Sequence, residues 1–368
     1  MTEGILAAIG RTPLVALRRL VSEAPFRIFA KLEACNPGGS IKDRAALGLL
    51  EGARRAGRIR PGTVVVESSS GNMGIGLAQA CAVLGLRFVC VVDVRTTAQN
   101  IAIMRAYGAE IEVVDTPDPN GGGFLRARIA RVRALVDRLP DAFWPDQYGN
   151  VDNALAHRRT MHEIVTALDG RLDVLFCPTS TCGTIRGCAE YAREHGLATT
   201  IVAVDAVGSV IFGPAGASPD MAAPVRLIPG HGAALRPALF RDDVADACVH
   251  VSDLECVTGC RRLVAREGIL AGGSSGAAVM AIERLRDRIA GDATVVAIFP
   301  DRGERYLDTI YCDAWVERHF GVLPASEAGA LGDPMAAHAA APTGRRRPVA
   351  LRPPERAAAG IRAAAGTT

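Results

Sequence analysis

One lysine stands out by its setting. The segment Asn36-Pro37-Gly38-Gly39-Ser40-Ile41-Lys42-Asp43-Arg44 puts Lys42 just beyond a Pro-Gly-Gly turn, at the start of a helix. Ser40 is the N-cap candidate, with Lys42 two residues inside. Free N–H groups and the positive end of the helix dipole disfavour a second positive charge there. A lysine so placed, once desolvated, has a lowered pKa and becomes a nucleophile. The plain alternative is a surface lysine after a turn, and the segments downstream weigh against it.

Glu67-Ser68-Ser69-Ser70-Gly71-Asn72 follows a strand and opens a helix, and Thr179-Ser180-Thr181-Cys182-Gly183-Thr184 does the same. Hydroxyls and free backbone N–H groups at a helix start cradle a carboxylate or a phosphate, although an ordinary N-cap reads similarly. Ala271-Gly272-Gly273-Ser274-Ser275-Gly276-Ala277-Ala278 is a third small-residue turn into a helix. It leaves room for a flat ring with a serine at its edge, or else for close helix packing. Pro300-Asp301-Arg302-Gly303-Glu304-Arg305-Tyr306 ends a strand in clustered charge, for which a salt-bridged loop is the bland account. One lysine, several anion cradles and a serine at a ring edge together describe a pyridoxal 5'-phosphate site, which needs all three.

The elements that must position these residues alternate. Short apolar runs at 64–68, 88–93, 111–115, 174–178, 201–206 and 295–301 predict buried parallel strands, and 73–84, 98–107, 124–139 and 183–194 predict helices between them. Such alternation means a doubly wound α/β architecture, with ligands beyond the carboxyl ends of the strands. Two halves meet near residue 150, and a cleft between them is the expected seat of a cofactor. After residue 324 the chain turns to Ala, Pro, Arg and Gly, a composition that predicts a disordered tail over 325–368.

Composition sets the outer bounds. The 368 residues carry a net charge of +3, with 49% hydrophobic and 22% charged residues, which fits a globular chain and favours no charged partner. No basic patch interleaved with aromatics points to nucleic acid, and no apolar run is long enough for a membrane span. The start, MTEGILAAIGRTPLVAL, lacks the features of a signal peptide, so a cytoplasmic location is expected. The ten cysteines form no C-x-x-C pair and read as buried free thiols, with no metal site.

With these residues in place, the chain resembles the cysteine synthase family, pyridoxal phosphate enzymes of β-replacement with the tryptophan-synthase-β fold (fold type II), over about residues 5–320. The resemblance implies that Lys42 holds the cofactor covalently and moves the substrate's α-proton. Asn72 would contact the cofactor's 3′ oxygen, residues Ser180, Thr181, Cys182, Gly183 and Thr184 its phosphate, and Ser274 its ring nitrogen. Ser69, Ser70, Gly71 and Asn72, with Gln147, would hold the substrate carboxylate. It also implies a small domain over 36–150, a large domain of 1–35 and 151–324, the cofactor between them, and a homodimer.

AKLEACNPGGSIKDR, ESSSGNMGI, VVDVRTTAQN, DQYGN, AVDAVGSVIFG, EGILAGGSSG and FPDRGERYLD are most similar to one branch of that family. That branch joins O-phospho-L-serine to L-glutamate on the way to 2,3-diaminopropionate, a siderophore and antibiotic precursor. The branch singles out Arg128 and Tyr148. A phosphorylated donor calls for a guanidinium fork, and the helix 124–139 offers Arg126, Arg128, Arg131 and Arg133 beside an apolar stripe of Leu125, Ile129, Val132 and Val136. Arg128 sits at the margin of that stripe, so an inward guanidinium and a solvated basic face are both open. Two positions depart from the family: Cys182 stands in the phosphate cradle where glycine is usual, and His231 in Pro229-Gly230-His231-Gly232 replaces an apolar residue. His231 is either a contact for a glutamate carboxylate or a loop residue without a role. The rival activity is a cysteine synthase taking sulfide with O-acetyl- or O-phospho-L-serine; a rival of another class is a binding protein that kept the fold and lost turnover.

Overall fold

The computed structural model describes residues 3–21, 24–119, 123–213 and 226–324. The tail predicted over 325–368 lies outside the described residues.

In chain order the elements are β1 (Leu14–Ala16), β2 (Arg27–Leu32), α1 (Lys42–Arg55), β3 (Val64–Ser68), α2 (Asn72–Leu84), β4 (Arg87–Asp93), α3 (Ala98–Ala106), β5 (Glu110–Val114), α4 (Gly123–Arg138), β6 (Ala142–Phe143), α5 (Val151–Ala167), β7 (Val174–Pro178), α6 (Gly183–Glu194), β8 (Thr200–Ala206), β9 (Ala247–Val251), α7 (Asp253–Glu267), α8 (Gly273–Leu285), β10 (Thr294–Phe299) and α9 (Asp313–Phe320). They build two sheets. The larger runs β1-β2-β10-β7-β8-β9 and the smaller β5-β4-β3-β6. All neighbours are parallel except β1 and β2.

Both sheets are covered on both faces, which is why their strands read as unbroken apolar runs rather than as alternation. In the larger sheet Phe176, Val202, Val204 and Val295 pack towards Val257, Leu263, Ala277 and Ile282 of α7 and α8. On the other face Leu175, Cys177, Ala203 and Ile298 pack towards Met161, Ile164, Ile185 and Cys188 of α5 and α6. The smaller sheet rests Val65, Phe88, Cys90 and Val92 on α1, α2 and α3, and Val64, Val66, Val89 and Val91 on Val132 and Leu135 of α4.

A buried ionic cluster fixes the start of α1. Arg44 donates through Nε to Glu33 at 2.7 Å and through Nη2 to Glu163 at 2.7 Å, while Lys31 Nζ reaches Glu163 at 2.8 Å. Burial works to raise the Glu163 carboxyl, but the hydrogen bond and charge of Arg44 outweigh it and hold the group at about 2. The cluster ties β2, α1 and α5 together two residues from Lys42. Removing one member would strand a buried charge, at a cost of about 3–5 kcal/mol.

The cysteines need one correction. All ten are free, and Cys81, Cys90, Cys177, Cys182, Cys188, Cys256 and Cys260 are buried as expected, but Cys35 and Cys248 are exposed. Cys35 lies in the turn before the lysine loop, Cys248 lies on the edge strand β9, and Cys312 is half-buried.

Candidate active site

Lys42 is the first residue of α1, and the preceding turn is stitched to the end of β10. Ile41 N–H donates to Pro300 O at 2.8 Å, and Ser40 bridges Asp301. The Ser40 hydroxyl accepts from Lys42 N–H at 3.2 Å, the bond expected of an N-cap, although helical backbone angles begin already at Ile41. Gly39 takes φ +85°, a turn that L side chains resist. Burial pulls the Lys42 pKa below the ordinary lysine value; the Asp301 carboxylate and Cys177 act in the opposite sense. An amine in that condition is more readily neutral, hence nucleophilic and basic.

Lys42 lines a pocket of about 400 Å³, measured out to its open mouth, together with Ile41, Pro178, Ser180, Thr181, Cys182, Thr184, Ile185, Gly230, Ser274, Ile298 and Pro300. Ser180, Thr181 and Cys182 come from the loop between β7 and α6, and Thr184 is the second residue of α6, where the first helical N–H groups have no intrahelical acceptor. Gly183 opens α6, and a Cβ there would fall 2.2 Å from Asn153 Oδ1, so glycine is what lets Asn153 in. Asn153 in turn donates to Gln147 O at 2.7 Å and to Thr181 Oγ1 at 3.3 Å, joining the two sides of the cleft. Cys182 adopts φ +63°, so the place where the family uses glycine is a left-handed position, here held by a buried thiol. Ser274 is the second residue of α8 and faces the same pocket. The close helix packing read from its turn is realised: a Cβ on Gly276 would fall 2.1 Å from Cys256 O across the α7–α8 contact.

The smaller sheet supplies the opposite wall. Gly71 caps α2, and a Cβ built on it would meet nothing nearer than Asn100 Nδ2 at 3.9 Å, an open cradle beside Ser70. Asn72 donates from Nδ2 to Asp301 Oδ2 at 2.7 Å and accepts from Arg305 at Oδ1, which leaves one amide N–H. Ser69 departs from its expected place. Its hydroxyl accepts from Gly74 N–H at 2.9 Å and Gly71 N–H at 3.2 Å, and its own N–H is bound to Val91 O at 3.1 Å. The tight entry to α2 uses that hydroxyl as its cap and withdraws it from the cleft. Gln147 is buried, with Nε2 donating to Ser68 O at 2.9 Å.

Arg128 points inward. The buried stripe of α4 is Arg128, Val132 and Leu135, while Leu125, Ile129 and Val136 are only half-buried, so the stripe is rotated from the one predicted. Arg126 and Arg131 keep to the solvent side, with ion pairs to Asp118 and Glu112. Arg128 Nε lies 3.3 Å from Asp93 Oδ2 without hydrogen-bond geometry, and Nε and Nη1 are buried without partners. Burial raises the Tyr148 hydroxyl above its ordinary range, and the charges of Arg128 and Arg226 act in the opposite sense.

Three residues of this region escaped the sequence reading. Glu67 is a keystone: it accepts from Ser68 N–H at 2.8 Å, Gln147 N–H at 3.0 Å and Trp144 Nε1 at 3.1 Å. Asp301 had a signal, its charged loop, but its work of holding Asn72 and Tyr306, at 2.7 and 2.5 Å, needed the fold. Arg226, a single arginine in an apolar loop, carried no signal at all.

A half-buried lysine, a hydroxyl-rich helix start and a serine around one pocket fit a phosphorylated pyridine aldehyde. Comparison with known proteins agrees. Residues 5–301 match the family described as pyridoxal-phosphate dependent enzyme. The chain is 47% identical over 331 residues to the N-(2-amino-2-carboxyethyl)-L-glutamate synthase of Ralstonia nicotianae, covering 89% of this chain and 94% of that one. It is 46% identical over 318 residues to the enzyme of the same name from Cupriavidus metallidurans, covering 85% and 91%. Among solved structures it is similar to O-ureido-L-serine synthase, with TM-score 0.76, 30% identity and coverage of 86% and 99%. It is likewise similar to a cysteine synthase from Entamoeba histolytica, with TM-score 0.76, 32% identity and coverage of 84% and 91%. The chain belongs to the pyridoxal-phosphate dependent enzyme family, on the fold shared by the cysteine synthases.

Proposed function

We propose that this enzyme performs a β-replacement that joins O-phospho-L-serine and L-glutamate, giving N-(2-amino-2-carboxyethyl)-L-glutamate and phosphate. The observation that carries the choice of donor is Arg128: a buried guanidinium whose Nε and Nη1 have no hydrogen-bond partner among the described residues, with Asp93 3.3 Å from Nε as its one ion pair there. Burying such donors without hydrogen bonds is costly, and a phosphate dianion meeting the Nη1–Nη2 end of the guanidinium would relieve that cost, with Asp93 on the Nε edge.

In this reading Lys42 would hold the cofactor, residues Ser180–Thr184 its phosphate, Ser274 its ring nitrogen and Asn72 its 3′ oxygen. Bound there, the cofactor supplies the electron sink that lets the donor lose its α-proton and its β-phosphate. Lys42 takes that proton on Nζ and later returns it, a task suited to an amine whose pKa burial has lowered. Ser70, Gly71, Asn72 and Gln147 orient the donor carboxylate, with Ser69 supporting them as the cap of α2. Arg128 and Tyr148 bind the departing phosphate and neutralise the charge that develops on its bridging oxygen. Ser274, an uncharged group, places no full positive charge on the ring. Residues 36–150 form a small domain over the large one made by 1–35 and 151–324. A homodimer working in the cytoplasm goes with this reading. It is supported by the half-exposed Val151 and Leu155 on α5, and no helix among the described residues is long and apolar enough to cross a membrane.

The test is a single-turnover experiment on the holoenzyme. O-phospho-L-serine alone should change the cofactor's absorbance and release one phosphate per site; L-glutamate should then restore the starting spectrum. A spectrum that recovers with sulfide and not with glutamate would make the enzyme a cysteine synthase.

A further inference from the structure

The loop from Arg226 to Gly232 holds a second set of buried donors without hydrogen-bond partners among the described residues. His231 is 2% exposed, and neither ring nitrogen has a hydrogen-bond partner. Arg226 Nη1 is buried without a partner as well. The two are close: a Cβ on Gly232 would fall 2.8 Å from Arg226 Nη1, and Gly232 has φ +68°, so glycine there is what admits the guanidinium. The loop belongs to the wall of the site. Gly230 lines the pocket with Lys42, the Ser180 hydroxyl donates to Gly232 O at 3.3 Å, and Gly232 N–H donates to Thr179 O at 2.8 Å.

The nearby carboxylates are already engaged. Asp205 accepts from Thr179 Oγ1 at 3.2 Å, from Ala206 N–H at 2.9 Å and from Phe212 N–H at 3.2 Å. Asp253 accepts from Leu227 N–H at 2.6 Å. They temper the charge of Arg226 without closing its Nη1. Arg226 and His250 together hold the His231 imidazole neutral, after burial, so it presents one N–H donor.

We propose that Arg226 and His231 form the seat of the acceptor's side-chain carboxylate. This rests on the β-replacement reading above. The α-amine of the acceptor must reach the donor's β-carbon near Lys42, and its α-carboxylate, one carbon from the amine, stays close to that centre. Arg128, released when phosphate leaves, is available for the α-carboxylate. The side-chain carboxylate extends farther, towards a second cation, and Arg226, half-buried with Nη1 enclosed beside Gly232, is that cation. A site for two carboxylates selects a dicarboxylic amino acid over its monocarboxylic and amide analogues.

The experiment compares Arg226→Met and His231→Leu with the wild-type holoenzyme, using L-glutamate, L-glutamine and L-norvaline as acceptors. Arg226→Met should raise KM for glutamate by about 30-fold or more and leave glutamine and norvaline within about threefold, erasing the preference. His231→Leu, which restores an apolar residue, should give a smaller rise of about fivefold. Phosphate release from O-phospho-L-serine alone, read in the same preparations, should keep its rate and also reports that the fold is intact. An unchanged KM and preference in Arg226→Met overturns the seat while leaving the function standing. Slowed phosphate release in the same variant overturns it too, by placing Arg226 with the donor. Failure of the wild-type enzyme to use glutamate overturns the function and the seat with it.

Discussion

Replacing Arg128 with methionine should separate phosphorylated from unphosphorylated donors. Methionine keeps much of the volume against Val132 and removes the charge and the fork. A phosphate bound end-on by Nη1 and Nη2 gains two charge-assisted hydrogen bonds, each about 1.5–3 kcal/mol, and Nη1 is buried with no hydrogen-bond partner among the described residues. The Asp93 carboxylate, 3.3 Å from Nε, already offsets part of that charge. A net loss of about 3 kcal/mol remains, which is about 100-fold in kcat/KM. Asp93 keeps the hydrogen bond from Arg95 N–H at 2.9 Å, so the fold tolerates the change. The assay is kcat/KM for O-phospho-L-serine and for O-acetyl-L-serine with one saturating acceptor. The phosphorylated donor should fall by about 100-fold and the acetylated one by no more than about threefold. Equal losses would falsify the assignment of Arg128 to the phosphate.

Three further outcomes follow from local physics. At Cys182, with φ +63°, valine should destabilise the protein by about 2–3 kcal/mol in thermal or urea unfolding and glycine should stay within about 1 kcal/mol of wild type, because only glycine takes that backbone without strain; equal effects of the two would mean the backbone is not left-handed there. Gly276→Ala pushes a methyl to 2.1 Å from Cys256 O and should cost about 3 kcal/mol, weakening cofactor retention by moving Ser274 on the same helix; a neutral result on both counts would contradict the α7–α8 contact. Burial pushes the Glu67 carboxyl up from 4.5 to about 7, so between these values the unfolded chain has lost a proton that the folded one keeps. Stability from this group is therefore full below pH 4.5 and declines as pH rises to about 7, by up to about 3 kcal/mol, and Glu67→Gln should flatten part of that decline, Asp43 being shifted to about 7 as well.

The strands and helices that bracket the site were legible because each is a run of one period ended by a turn. Helix 183–194 and strands 64–68 and 174–178 stand where the pattern put them. The short strands β1 and β6 carry too few residues for any period to show, and β9, as long as β3, breaks its apolar run with His250. Lys42, Ser180–Thr184 and Ser274 converge on one pocket because each begins a helix at the carboxyl end of a strand or beside one, a rule that sequence alone can apply. Ser69 could not be told from Ser70, since which hydroxyl caps α2 depends on the turn's path. The buried face of α4 was misjudged by about half a helical step, because an arginine counted as polar is part of it. Asp301 holds Asn72 from 229 positions away, Glu67 holds Trp144 from 77, and Arg226 acts on Tyr148 across a similar span, and separations of that kind leave no local pattern.

The central claim is the pairing of donor and acceptor, and competition tests it most directly. Holoenzyme would be given O-phospho-L-serine with equal concentrations of L-glutamate and sulfide, and the products counted by mass spectrometry against phosphate released. The structure predicts N-(2-amino-2-carboxyethyl)-L-glutamate as the main product, one for each phosphate. Cysteine in its place, with no glutamate adduct, would contradict the account.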